Sequence, residues 1–357
     1  MPLMPAERSP RGMSLLELMF VIAILAVVVA GVTRAIVDLY RTQTVRNLNV
    51  RLQGEGRDAL GRVEHELRAA SLGVPLGVIW TQDAAGGVIH RPAVQIYDNL
   101  SGLGANLPVK ARTDALLVVG AVSQGAEAAV MGTSYDSTAG LPVTDPVPFA
   151  RGMNLLIGPY RSAAWDTVTN VVAGPPGQLT LGSTQNVFPD GRADSGSMVR
   201  QARAVLYYVD ATDRLIEQEL LVPRAPASFA EGGAQHVLAR GVENLQLDCE
   251  VDDGVTFQPC PAVIAAADPL AAEAAWALGA WDGGGPRFNE GTISTVRTVI
   301  LSVVLRSENP IANGNGDPRI TLEGTTPPVG GGDDALPYLR RAYRLPVAVR
   351  NVSLGAL

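Results

Sequence analysis

Arg11-Gly12-Met13-Ser14-Leu15-Leu16-Glu17-Leu18-Met19-Phe20 opens a run in which, from residue 13 to residue 32, Glu17 is the single ionisable side chain. As a helix, twenty residues rise roughly 30 Å, the thickness of a bilayer's hydrocarbon core. Arg8 and Arg11 precede the run, and Arg34, Asp38 and Arg41 close it. This charge placement predicts a cytoplasmic N-terminus with the rest of the chain carried across. An acid near mid-span costs about 3 kcal/mol on insertion scales, less near an interface. Glu17 therefore points to a partner. Two other readings compete: a cleaved signal peptide using Val28-Val29-Ala30 as its small-residue site, and a plain uncleaved anchor. Both leave Glu17 without a purpose.

Outward from the span, Val45, Leu48, Leu52, Leu60, Val63 and Leu67 recur at three- and four-residue spacing, with a gap at Gly56. Arg46, Arg51, Arg57, Asp58, Arg62, Glu64 and Arg68 fill the other face. The pattern predicts that the helix continues as an amphipathic rod packed on a sheet. Residues 13–70 as one helix would measure roughly 85 Å. Gly54, Gly56 and Gly61 each cost about 1 kcal/mol in a helix interior, so a bend or loosened turn is expected near 54–61.

After residue 73 the texture changes. The whole chain has 357 residues with 38 Gly and 25 Pro, which favours turn-rich β structure over a helical bundle. Apolar runs at 115–122, 242–250, 294–305 and 345–352 read as strands. Residues 203–209 and 215–222, joined through Asp210-Ala211-Thr212-Asp213, read as a hairpin. Residues 125–196 are expected to form long decorated loops or a second small sheet. The net charge is −7 and the pI near 5.1, against the basic face that a nucleic-acid binder needs. Lys110 is the single lysine among 28 basic residues, and no Gly-Lys-Ser/Thr phosphate loop occurs.

The stretch 11–19 resembles the processing site of type IV prepilins and the related type II secretion pseudopilins. In that family a short basic leader ends in Gly, cleavage follows it, and Glu stands fifth in the mature chain. Those positions are Gly12, Met13 and Glu17; Met13 stands where Phe is commonest. The resemblance implies that a membrane aspartyl peptidase cuts Gly12–Met13 on the cytoplasmic face. The same enzyme would methylate the new Met13 amine with S-adenosylmethionine. That amine remains a cation, so the Glu17 carboxylate of one subunit can neutralise Met13 of a neighbour. In low dielectric such a pair is favourable only with both members present, which makes Glu17 a registry device for docking.

Three looser patterns resemble PilW-type minor pilins. They are the Tyr-bearing hairpin at 204–221, and Arg240-Gly241-Val242-Glu243-Asn244-Leu245-Gln246-Leu247 with an acidic turn at Asp252-Asp253-Gly254. The third is Arg340-Arg341-Ala342-Tyr343 leading to Val349-Arg350-Asn351. The implied fold is α+β and pilin-like, a long transmembrane and amphipathic helix packed on antiparallel sheets of a large loop-rich head. Its expected parts are a leader (1–12), a membrane half-helix (13–33), a periplasmic half-helix (34–72) and a periplasmic head (73–357). Expected partners are other minor pilins and the major pilin, the prepilin peptidase, the inner-membrane assembly platform and a tip adhesin; nucleic acid is not among them. The implied work is pilus initiation or tip assembly, first from the inner membrane and then in the fibre. The J-type pseudopilin of type II secretion is the nearest alternative, and an exported periplasmic binding or enzymatic domain a more remote one.

Cys249 and Cys260 flank the turn at 252–254, and an oxidising periplasm would join them. Closing so short a loop is worth roughly 3 kcal/mol on the chain-entropy model. Asn313, Asn315 and Asp317 have the spacing of a calcium loop's first ligands. Pro318 and Gly324, however, stand where that loop needs Gly and Glu, so a polar turn is expected. Asp333-Asp334 reads as a solvated loop. His65, His90 and His236 lack metal-ligand spacing, and Ser195 lacks a nucleophile elbow. No enzyme, cofactor or metal centre is expected. Trp276 and Trp281 read as core packing rather than as a subunit contact.

Overall fold

The computed structural model describes residues 14–70, 78–82, 88–97, 109–122, 124–132, 140–158, 163–174, 176–182, 197–220, 232–252, 257–259, 295–308 and 338–349. One helix, α1 (Leu15–Ala69, 55 residues), runs about 83 Å without a break through the three glycines. Its first part is apolar on every side. Leu18, Phe20, Ile24, Leu25, Val28 and Val32 are all exposed, and the helix is long and apolar enough to cross a membrane. The first buried side chain is Leu52, followed by Gly56, Ala59, Leu60, Val63 and Leu67 on one face. Compact units divide at the same point, one ending at Arg51 and the other starting at Leu52. The outer helix thus belongs to the same unit as the sheets.

Sixteen strands follow among the described residues. They are β1 (Val78–Gln82), β2 (Val88–Pro92), β3 (Val94–Tyr97), β4 (Ala115–Ala121), β5 (Glu127–Ala129), β6 (Leu141–Val143), β7 (Asn154–Gly158) and β8 (Ala163–Val172). After these come β9 (Gly177–Leu181), β10 (Met198–Val209), β11 (Arg214–Leu220), β12 (Gly232–Arg240), β13 (Val242–Asp252), β14 (Phe257–Pro259), β15 (Thr295–Arg306) and β16 (Arg340–Ala348). The larger sheet has twelve strands, with β12-β11-β10-β7-β8-β1-β2 as its spine and β3, β4, β5, β6 and β9 as branches. The smaller runs β14-β13-β15-β16. Pairing is antiparallel throughout except where Ile79 and Trp80 of β1 run parallel to Ala163 and Ala164 of β8.

β10 organises the larger sheet because it is long enough to serve two neighbourhoods. Its Ala202–Tyr208 stretch pairs with β4 and its C-terminal half with β11, while residues 198–201 pair with β5 and β7. The twofold alternation of a strand then gives it two buried faces. Tyr207 looks toward α1, where it lines a small cavity with Leu60 and Val63 of α1, Leu116 and Leu215 of the larger sheet, and Leu245, Leu247, Leu301 and Val303 of the smaller. Leu206 and Tyr208 look the other way, into a core with Ile79, Tyr97, Leu117, Trp165 and Ile216. A separate core of Leu141, Val143, Phe149, Leu155, Ile157, Leu179 and Val199 fills the region between β5 and β10. Residues 125–196 accordingly include five strands with a core of their own, joined to the larger sheet through β10. The arrangement is α+β and pilin-like: a long N-terminal apolar helix and antiparallel sheets in a large head.

Two strands begin earlier than the sequence reading placed them, β10 at Met198 instead of 203 and β16 at Arg340. The last strand begins at Arg340, five residues earlier than expected, because β15 pairs with it continuously from Arg306↔Arg340 to Thr298↔Ala348. Its first half, Arg340-Arg341-Ala342-Tyr343-Arg344, holds three arginines and so lacked an apolar run. β1, β2 and β3 had no counterpart in that reading.

Candidate functional site

At the start of α1, Ser14 and Glu17 cap the helix reciprocally. The Glu17 amide donates to Ser14 Oγ at 3.2 Å, and the Ser14 amide donates to Glu17 Oε2 at 3.0 Å. The Leu18 amide closes the first turn on the Ser14 carbonyl at 3.1 Å. This is a capping box, Ser-x-x-Glu, which satisfies two backbone donors that otherwise have no partner. In a hydrocarbon setting that service matters more than in water, because no solvent can substitute. Glu17 therefore has a partner inside its own chain, a role legible in the Ser-x-x-Glu spacing but absent from the sequence reading. Gly12 and Met13 lie outside the described residues.

The apolar run of α1 thus opens on a capped acid. Residues 8–33 match the prokaryotic N-terminal methylation motif. The match supports a type IV pilin-like or pseudopilin-like protein, processed by a prepilin peptidase and handled by pilus assembly machinery. With the apolar helix, it fits a membrane-anchored pilin. No curated protein and no solved structure matches the chain.

The motif ends at residue 33, before the buried part of α1, and what holds that part to the sheets is a set of ion pairs and close contacts. Glu217 of β11 is 1 % exposed and accepts from Arg62 Nε of α1 at 3.0 Å and Arg203 Nη2 of β10 at 2.5 Å. Arg203 Nη1 also donates to Glu66 of α1 at 2.6 Å. Burial would raise the Glu217 pKa, but the two arginines outweigh it and hold the carboxyl below the usual carboxylate range. Beside this group burial pushes the Tyr207 hydroxyl far up, with Glu217 and Glu66 adding to the effect. At the helix end, a Cβ on Gly120 of β4 would sit 2.9 Å from the Ala69 carbonyl oxygen, so only glycine lets α1 lie this close.

The three patterns that resembled minor pilins meet around one corner. Asp213, in the turn of the hairpin, accepts from Lys110 Nζ at 2.5 Å and Arg306 Nη2 at 2.8 Å. Lys110 also donates to the Glu243 carbonyl at 2.8 Å. The Glu243 side chain takes the Arg340 guanidinium in a forked pair at 2.8–3.0 Å. Gly241, at φ +68°, lets the chain pass from β12 to β13 while Arg306 donates to its carbonyl at 2.7 Å. Asp114, just before β4, binds β13 as well, accepting from the Leu247 amide at 2.7 Å. Tyr343 completes the set, its hydroxyl donating to the Leu52 carbonyl of α1 at 3.0 Å. These motifs are thus joints between the two sheets and the helix.

The remaining sequence candidates are dispersed. Cys249 is buried in β13, while Cys260 lies outside the described residues. His65 is exposed on α1 and His236 on β12, and His90 lies in β2. Ser195, Trp276, Trp281, Asn313, Asn315, Asp317, Asp333 and Asp334 lie outside the described residues. Among the described residues no group of three or more His, Cys, Asp or Glu side chains could hold a metal ion.

Proposed function

We propose that the chain is a minor pilin of the PilW type, cut after Gly12, methylated on Met13 and docked through Glu17 into an initiation or tip complex. The observation that carries this reading is the capped acid at the head of a membrane-length helix inside a matched methylation motif. The convergence of the hairpin, Gly-Val-Glu and Arg-Arg-x-Tyr segments on one corner adds support, since patterns shared with minor pilins then serve one architecture. A bulky head suits a terminal position, because it would crowd a shaft. The J-type pseudopilin of type II secretion shares the same helix physics and is the second reading. Genes for a tip adhesin beside this one favour the first, and genes for a secretion channel the second.

The capping box gives the docking proposal a sharp test. Glutamine keeps the box, because Gln can bond back to the Ser14 amide, but removes the charge. Glu17→Gln should abolish incorporation into fibres while the mature chain still begins at Met13 with one added methyl group by intact mass. Incorporation by Glu17→Gln equal to wild type, with loss only in Glu17→Ala, would reduce Glu17 to a helix cap. A mature chain starting at Gly31 would instead identify an ordinary exported protein.

A further inference from the structure

We propose that α1 is built to yield over the two turns between Leu52 and Gly61. Gly54 and Gly61 stand seven residues apart, so two turns bring them to nearly the same face of the helix. A Cβ added at either would meet nothing within 4 Å. Packing asks for glycine at neither position, yet both weaken the helix relative to alanine. Gly56 faces the opposite side and has a packing reason, since its Cβ would lie 2.7 Å from the Tyr343 ring. On that inner side the Tyr343 hydroxyl donates to the Leu52 carbonyl at 3.0 Å, the carbonyl that the Gly56 amide takes in an α-helix. Bare backbone is open to water outside, and a competing donor stands inside. Both are recognised causes of helix bending.

The next turns are held differently. Arg62 is paired with Glu217, Glu66 with Arg203, and Leu67 is fully buried. A yielding stretch thus abuts a pinned one, and strain entering along the apolar part of α1 is spent before it reaches the ion pairs. The reading of the chain as a fibre subunit enters only in what supplies the load: withdrawal of α1 from the membrane on docking.

Hydrogen exchange by mass spectrometry on the full chain in detergent micelles tests the device. Amides of 54–61 should exchange at least tenfold faster than those of 63–69. The Gly54→Ala/Gly61→Ala double variant adds helix formers in open space, so it folds, and it should close that gap. In cells this variant should still be cut after Gly12 yet enter fibres several-fold less well. Equal exchange across the two stretches, or a gap that persists in the double variant, overturns the yielding turn. Full fibre entry by a variant whose gap has closed overturns its role in assembly. Glu17→Gln measured alongside separates the two readings, because it reports on docking and leaves the exchange of 54–61 as in wild type.

Discussion

A carboxylate as enclosed as that of Glu217 stays ionised because guanidiniums from α1 and β10 both reach it. Removing one partner of a buried pair typically costs about 3–5 kcal/mol, since the charge left behind has no counter-ion. In Glu217→Gln, Arg203 keeps Glu66 and Arg62 is half-exposed, so the loss of stability should be smaller, about 1–2 kcal/mol, measured by urea unfolding near neutral pH. The pH dependence has a definite sign. The folded-state pKa of Glu217 lies below its ordinary 4.5, so its contribution is complete above that value and is lost as pH falls through the depressed one. Asp210, where burial is outweighed by bonds from Arg214 and Thr212, acts in the same direction from 3.8. Wild type should lose stability more steeply than Glu217→Gln as pH drops below about 4.5; parallel curves would mean that the pair is not coupled to folding.

At the scale of the element, α1 changes environment at Leu52, and its sequence announces the change only in part. The three- and four-residue spacing of Leu52, Leu60, Val63 and Leu67 marked the buried face, because periodicity is a local property. Gly56 looked like a gap in that face and is instead buried in it, against Tyr343 and Leu305. No local signal could show this, since Tyr343 is 291 residues beyond the carbonyl it binds. Gly56→Ala should destabilise the head by about 1–3 kcal/mol through overpacking, despite alanine's better helix propensity, as thermal unfolding would measure. A rise in Tm would show that Tyr343 moves aside freely. The capping box was a different kind of omission: Ser14 and Glu17 were both in view, but the acid was read only for what it could do in a neighbour.

For the whole molecule, the strand pairs joined by short turns were legible, while the crossing of distant segments was not. The hairpin of β10 and β11 announced itself through two strand-like runs and the turn at Asp210–Asp213. The long β10 that also gathers β4, β5 and β7 depends on pairing with segments roughly forty to ninety residues away, for which one sequence carries no rule. Loose family-like patterns proved more informative than strand runs about where the sheets join, because Glu243 of one pairs with Arg340 of another and Asp213 of the third holds Lys110 and Arg306. The β13–β14 register pairs Glu250, the neighbour of Cys249, with Pro259, the neighbour of Cys260 in sequence. That register supports a Cys249–Cys260 bridge. Chain prepared from the periplasm should yield no free thiol under denaturing alkylation, and two after reduction.

Lys110 is spent inside this corner, its side chain 14 % exposed and its ammonium shared between Asp213 and the Glu243 carbonyl. Because the sequence holds no second lysine, the folded head offers solvent one primary amine, and that one is largely buried. Amine-acylating dyes consequently mark neighbouring proteins well before they reach this head, and a label on Lys110 reports that the corner has opened.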